Sequence, residues 1–398
     1  MSKKLKMIIS KIVVVSIAMS VCYLGGNYNV NAFAVTTSTK AIQETTVGTA
    51  TTFPDTNAPE INVKDEGQKV QFTENKVQAM NDYKVPYGFD TNKSNVKYGN
   101  LKEVSYYSKT TGTKRNCYVL LPANYSTQKK YPVLYLLHGI GGTDSEWLGA
   151  NPTAIIGNLV AEGKASDMIV VMPNVRAAAN DSVPQNILSK ENMNAFDNFI
   201  NDLSNDLMPF INSNYSVKQG RENTAIAGLS MGGRESLFIG FKKLDKFAYI
   251  GAFSPAPGLL PDSALNYPGQ FTKAQFTIPQ NSINTPKLVM ICTGNNDGVV
   301  GNTPNVYHQT LIDNKVNHIW YTTDGGHDFT VWKNGLYNFA KSIFNNGNSK
   351  NDTLDYIALQ KYILEGTGNI NESNGDINKD GRIDTADLLA LRKAILES

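Results

Sequence analysis

Six short apolar runs punctuate the middle of the chain: Cys117–Leu121, Pro132–Leu137, Met168–Met172, Thr224–Ala227, Ala248–Ala252 and Lys287–Ile291. They are bounded by Pro, Gly or Asn and lack the strict alternation of a half-exposed strand. The pattern predicts strands buried on both faces. Helical spacing lies between and after them: Phe199, Ile200, Leu203, Leu207, Met208, Phe210 and Ile211 in one segment, then Glu235–Leu244 and Leu336–Phe344. Strands alternating with helices imply an α/β fold, a mostly parallel sheet with helices on both faces.

The texture changes at both ends. Met1–Lys6 is basic, an apolar run from Met7 to Leu24 is broken only by Lys11, and Ala32-Phe33-Ala34 offers a small-residue cleavage site. This reads as a secretory signal peptide over 1–34, hence a secreted, extracellular protein with no membrane segment in its mature form. A membrane anchor is the alternative, but Lys11 and the Gly25-Gly26 pair interrupt the span. Residues 35–80 are rich in Thr and poor in large apolar residues, which predicts a flexible arm or linker before a main domain at 81–344. At the other end, Asp355–Glu365 recurs 32 residues later as Asp387–Glu397 with seven of eleven residues identical. The duplication marks a second, small helical module over 345–398.

Composition adds little beyond this. A net charge of +2 with scattered Lys and Arg argues against a nucleic-acid partner. Beyond the signal segment only Cys117 and Cys292 remain, both in apolar runs, and they are expected as buried free thiols rather than a bridge.

The candidate chemistry centres on Gly228-Leu229-Ser230-Met231-Gly232, which follows a strand pattern and precedes a helix pattern. Such a turn lifts a serine above the sheet edge, with the helix N-terminus favouring developing negative charge. A serine hydroxyl needs a base, and the base an acid to orient it; in this architecture the order is Ser, acid, His. Of the four histidines, His138 precedes the serine, and His308 and His318 lie in helical and strand-like stretches without turn signals. His327 sits in the loop Asp324–Phe329 after the run Ile319–Tyr321 and is the expected base. Asp297 directly follows a buried-strand run and is the expected acid, a plain turn residue beside Gly298 being the alternative. His138-Gly139 ends an early strand where half of an oxyanion hole is expected; the backbone N–H groups of Ile140 and Met231 are the candidate donors. His138 itself is expected to be a structural hydrogen-bonder. None of these roles calls for a catalytic cofactor.

The stretches Leu137–Gly142, Ile226–Gly233 and Gly325–Phe329 resemble carbohydrate esterase family 1, and most of all its feruloyl esterase modules attached to cellulosomal xylanases. Asn214–Val217, Leu244–Ile250 and Trp332–Phe339 strengthen the likeness, which covers about residues 90–345. The resemblance implies an α/β-hydrolase fold and a triad of Ser230, Asp297 and His327 cleaving hydroxycinnamoyl or acetyl esters on xylan. Feruloyl esterase is the favoured reading and acetylxylan esterase the runner-up. A non-catalytic cohesin- or glycan-binding protein on a hydrolase scaffold is the alternative of another class. Trp147, Phe329 and Trp332 are candidates for an aromatic acyl pocket, ordinary core aromatics being the equal alternative.

In the C-terminal module, Asp376, Asn378, Asp380, Arg382 (through its carbonyl), Asp384 and Asp387 occupy positions 1, 3, 5, 7, 9 and 12 of an EF-hand-like calcium loop, with Gly381 at the turn. Asp in place of Glu at the last position, together with the duplicated helix, resembles a dockerin. That implies structural Ca2+, a cohesin partner on a scaffold protein and association with a cellulosome. The first copy departs from the pattern: Phe344 stands at position 1 and Ser349 replaces the glycine. Its calcium site is expected to be weakened, shifted in register or absent.

Overall fold

The protein is described from a computed structural model covering residues 83–344, apart from 263–266 and 281. In the C-terminal module the description extends to 356, 359–360, 362–364, 375–378 and 380–397. The expected signal segment, the whole of the expected arm and most of the first repeat lie outside the described residues.

In chain order the main elements are β1 (Asn100–Ser108), β2 (Thr113–Leu121), β3 (Val133–Leu137), α1 (Pro152–Ala161), β4 (Ile169–Pro173) and α2 (Lys190–Asp197). There follow α3 (Phe199–Asp202), a π turn (Leu203–Leu207), α4 (Met208–Asn214), β5 (Thr224–Leu229), α5 (Ser230–Lys242) and β6 (Tyr249–Phe253). Then come β7 (Leu288–Gly294), α6 (Thr303–Asp313), β8 (Ile319–Thr323), α7 (Phe329–Ser342) and, in the C-terminal module, α8 (Thr385–Glu397).

The strands form one sheet in the order β1-β2-β4-β3-β5-β6-β7-β8. From β4 to β8 all pairings are parallel, while β1 and β2 run antiparallel at one edge. All six predicted apolar runs are strands. The exception to the predicted pattern is β1, NLKEVSYYS, in which only Tyr106 and Ser108 are buried. An edge strand covered on one side mixes apolar with polar residues, so a search for continuous apolar runs passes over it.

Each face of the sheet has its own core. Ile226 and Ile250 pack with Leu237, Ile239 and Phe241 of α5 and with Phe199, Leu203, Leu207 and Ile211 on one side. Leu134, Leu136 and Phe253 pack with Ile155 and Leu159 of α1 and Leu336 and Phe339 of α7 on the other. Burial of each large side chain contributes about 1.5–3 kcal/mol, so the two cores clamp the sheet between helical layers. Cys117 belongs to the first core and Cys292 to the second; both are fully buried free thiols, and burial pushes each up to about 12.

The predicted helix over 199–211 is interrupted by the π turn. The extra residue keeps Leu203 and Leu207 on the core while turning Asp202 and Asp206 toward β1 and β2. Asp202 accepts from Tyr106 Oη at 2.6 Å and lies 3.4 Å from Arg115 Nε, and Asp206 accepts from Thr110 Oγ1 at 2.6 Å. The turn thereby ties the antiparallel edge to the helical layer.

Arg234, one turn into α5, is fully buried and pairs with Glu235 and, at 2.5 Å, with Asp197 at the end of α2. Its second amino group reaches the Gly258 carbonyl and Tyr267 Oη, both at 3.1 Å. Removing one partner of a buried ion cluster leaves the others unpaired in a dry interior. Arg234→Met should therefore destabilise the fold by about 3–5 kcal/mol, read as a lowered urea midpoint. An unchanged midpoint would show that the cluster does not hold α5 in place.

Candidate active site

The strand-to-turn-to-helix sequence puts Ser230 at the first position of α5 with φ of 67°, a left-handed conformation uncommon for a non-glycine residue. The turn closes because its neighbours lack side chains. A β-carbon on Gly232 would stand 2.4 Å from the Leu137 carbonyl oxygen, and one on Gly228 would stand 2.5 Å from the Gly232 carbonyl carbon. Two glycines thus let the helix start against the ends of β3 and β5, and the strained serine is held with its hydroxyl within reach of His327. Ser254, after the neighbouring β6, takes a similar backbone turn with φ of 47°.

Asp297 follows β7 and His327 follows β8, so all three side chains leave the carboxyl ends of parallel strands. His327 Nδ1 lies 2.9 Å from Asp297 Oδ2, and its Nε2 lies 2.9 Å from Ser230 Oγ. With the proton on Nδ1 donated to the carboxylate, Nε2 presents its lone pair to the serine hydroxyl. Asp297 Oδ1 accepts the N–H groups of Val299 and Val300 at 3.1 and 3.2 Å, which fixes the second oxygen toward the histidine. Burial alone would raise this carboxyl. The hydrogen bond and charge of His327, with help from Ser254 and the Val300 N–H, outweigh it and hold the carboxyl below its ordinary value. The aspartate is therefore an anion wherever the histidine needs one. A hydroxyl, an imidazole and a buried carboxylate in this order can pass a proton from oxygen to nitrogen and back.

The turn after β3 lies beside the serine: a β-carbon on Gly139 would stand 3.5 Å from Ser230 Cβ. Among the described residues, the N–H groups of Ile140 and Gly141 take no acceptor from the protein. Met231 N–H belongs to the opening turn of α5, where helical donors have no intrahelical partner. His138 is buried at the base of the turn, its ring edge-on to Phe196.

The three candidate pocket aromatics separate. Trp147 is a correction: it is fully buried, donates its indole N–H to the Leu137 carbonyl at 2.9 Å and packs between Phe253 and Phe329. It has no face left to line a pocket and serves as core. Trp332 is buried with its ring perpendicular to that of His327, centroids 5.1 Å apart. Phe329 is half-buried and stands edge-on to Trp332. The two histidines set aside in the sequence meet each other instead, His308 Nδ1 lying 2.7 Å from His318 Nε2. Sequence reasoning missed Ser254, which supports the Asp297 carboxylate, and Glu146 and Arg176, which bond the Gly139 N–H and the Ile140 carbonyl of the turn after β3. Their only sequence signal is position just beyond a strand end or a glycine turn, which many residues share.

In the C-terminal module Gly381 takes φ of 83° and the loop folds back on its own acids. Asp376 accepts from the N–H groups of Asp380 and Gly381 at 3.0 and 2.9 Å. Asp387 is fully buried and accepts from Asn378 N–H at 3.1 Å and Asp384 N–H at 2.9 Å, closing position 12 over positions 3 and 9. Among the described residues no three His, Cys, Asp or Glu side chains form a ready metal cage. The all-oxygen donor set in this ring order nevertheless fits a hard divalent cation. Phe344, at position 1 of the first copy, behaves otherwise. Its side chain is buried in the sheet core against Tyr249, and its carbonyl accepts from Ser166 Oγ at 3.0 Å.

Comparison with known proteins agrees with this geometry. A solved CE1 ferulic acid esterase from Anaeromyces mucronatus superposes with a TM-score of 0.61 and 38% identity, covering 66% of this chain and 97% of that one. The endo-1,4-beta-xylanase/feruloyl esterase of Xylanibacter ruminicola is 28% identical over 259 residues, 63% of this chain, and this chain spans 32% of that relative's length. An acetyl esterase from Caldicellulosiruptor saccharolyticus is 24% identical over 274 residues, covering 60% of this chain and 96% of its own. Residues 345–396 match the dockerin type I domain, and residues 108–341 match the Esterase family. With its hydrolase sheet, its strand-end Ser230 and a family match over most of its described length, this chain belongs to the Esterase family and carries a C-terminal dockerin.

Proposed function

We propose that this chain is a secreted serine esterase that releases ferulic and related hydroxycinnamic acids from xylan while docked on a cellulosome. The observation that carries the reading is the Ser230–His327–Asp297 relay, in a chain 38% identical to a ferulic acid esterase across nearly all of that protein. Ser230 Oγ attacks the ester carbonyl as His327 Nε2 takes its proton, and Asp297 holds the imidazolium. The oxyanion is met by the N–H groups of Ile140 and Met231. The tetrahedral intermediate expels the sugar alkoxide, which leaves with the proton from His327. Water then attacks the acyl-enzyme by the same route and frees the acid. Half-open Phe329 offers an aromatic edge to the acyl ring, while Trp332 backs the histidine.

In the dockerin, Asp376, Asn378, Asp380, the Arg382 carbonyl, Asp384 and Asp387 hold one structural Ca2+ and present the module to a cohesin. The first copy holds none, because Phe344 offers its ring to the esterase core and its carbonyl to Ser166.

Ser230→Ala should lower ester turnover by about 10⁴- to 10⁶-fold, measured as ferulate released from feruloylated arabinoxylan. Acetate in place of ferulate would move the assignment to acetylxylan esterase, and turnover indifferent to the substitution would remove the triad. Native mass spectrometry in calcium should count a single Ca2+ per chain. Cohesin binding should be lost in EDTA and weakened by Asp376→Ala or Asp387→Ala; two bound ions, or EDTA-indifferent binding, would contradict this assignment.

A further inference from the structure

The turn that carries Ile140 is held more tightly than a surface loop requires. Gly139 donates its N–H to Glu146 Oε2 at 2.6 Å. The Gly139 carbonyl oxygen lies 2.7 Å from His138 Nδ1 and also accepts the Gly142 N–H at 3.1 Å. Arg176, buried at the end of β4, donates Nη2 to the Ile140 carbonyl at 2.8 Å and to the Gly142 carbonyl at 3.4 Å. Its Nε is fixed on Asn192 Oδ1 at 2.6 Å and its Nη1 on the Asp181 carbonyl at 3.2 Å. Of the groups on this turn, the N–H donors of Ile140 and Gly141 are left open among the described residues.

The orientation of Ile140 N–H follows from the peptide plane. In a trans peptide the carbonyl of one residue and the N–H of the next point in opposite directions. A donor that grips the Gly139 carbonyl from behind therefore aims the Ile140 N–H forward, and Gly139 abuts Ser230. His138 can grip in this way only with its proton on Nδ1. Two groups meet Nε2 on the other side: Val175 N–H donates to it at 2.8 Å, and Asn174 Oδ1, which already accepts the Arg176 N–H, lies farther off at 3.1 Å; the shorter bond selects the proton on Nδ1. Burial, with the Arg176 and Arg115 charges adding to it, pushes His138 down to about 4, so the neutral ring persists through the working range.

We propose that His138 is a positioning residue for transition-state stabilisation. It fixes the peptide plane that points Ile140 N–H at the oxyanion, with Glu146 and Arg176 holding the two flanks of the turn. The proposal rests on the oxyanion-hole reading given above. It assigns the buried histidine of the His-Gly turn a share in kcat without contact to substrate.

The test compares His138→Leu, His138→Asn and Ile140→Pro in the full-length chain. The readouts are kcat and KM on a 4-nitrophenyl ester, inhibition by a trifluoromethyl ketone that forms a tetrahedral adduct, and the melting temperature. Leu removes the donor and should lower kcat by about 10- to 100-fold, weaken the ketone by a like factor and leave KM nearly unchanged. Asn restores a donor near the Nδ1 position and should recover most of the loss. A folded Leu variant within twofold of wild-type kcat would overturn the proposal, as would a loss confined to KM. Should the Leu variant fail to fold, Arg176→Lys tests the same clamp through the Ile140 and Gly142 carbonyls, with the same split expected. Ile140→Pro deletes the donor itself. If it keeps full kcat, the oxyanion reading falls; if it loses kcat while His138→Leu does not, only the clamp falls.

Discussion

Everything at the active face depends on one close approach of backbone to backbone. Gly232 of α5 passes so near the carbonyl of Leu137 that no β-carbon fits between them. That contact draws the nucleophile's helix, its parent strand and the turn after β3 into one corner. A side chain at residue 232 would push the helix off β3, taking Ser230 away from the turn that carries Ile140. The relay to His327 and Asp297 comes from the other direction, along β7 and β8, and reaches the same corner because parallel strands deliver their ends to one edge.

Much of this was legible because the chemistry and the fold leave marks of the same kind. Buried parallel strands must be apolar on both faces, so β3 to β7 are visible as runs, and a catalytic residue at a strand end sits beside such a run. Ser230, Asp297 and His327 could be picked out for that reason. Strand β1 could not, since an edge strand of mixed residues has no run to mark it. Trp147 illustrates the opposite error. An aromatic near a candidate site has the same spelling whether it faces a ligand or the core, and for Trp147 full burial and the indole hydrogen bond to Leu137 separate the two. Glu146 and Arg176 were hidden more deeply, because their roles lie in which backbone carbonyl or N–H they touch, and backbone groups have no letter in the sequence.

The site also shows how a rigid surround is assembled from polar parts. Arg234 in the serine's helix and Arg176 beneath the oxyanion turn are both buried; Arg234 donates to two carboxylates, a carbonyl and the Tyr267 hydroxyl, and Arg176 to backbone carbonyls and the Asn192 amide. A guanidinium's planar fork suits this use, because it fixes several backbone segments at once with little freedom left to lose. Hydrophobic cores clamp the sheet, but charged side chains set the loops.

The two cysteines lie in different cores, on opposite sides of an eight-stranded sheet. No local opening brings them together. Both are held as neutral thiols by burial, so they are poor nucleophiles and poor targets for oxidants in the extracellular surroundings proposed for the protein. Their reactivity toward an external thiol reagent therefore reports exposure of the sheet's interior. Cys117 reports from the face under the nucleophile's helix and Cys292 from the face under α7. If the two label at one rate the sheet opens as a single unit, and if at two rates the layers separate in turn.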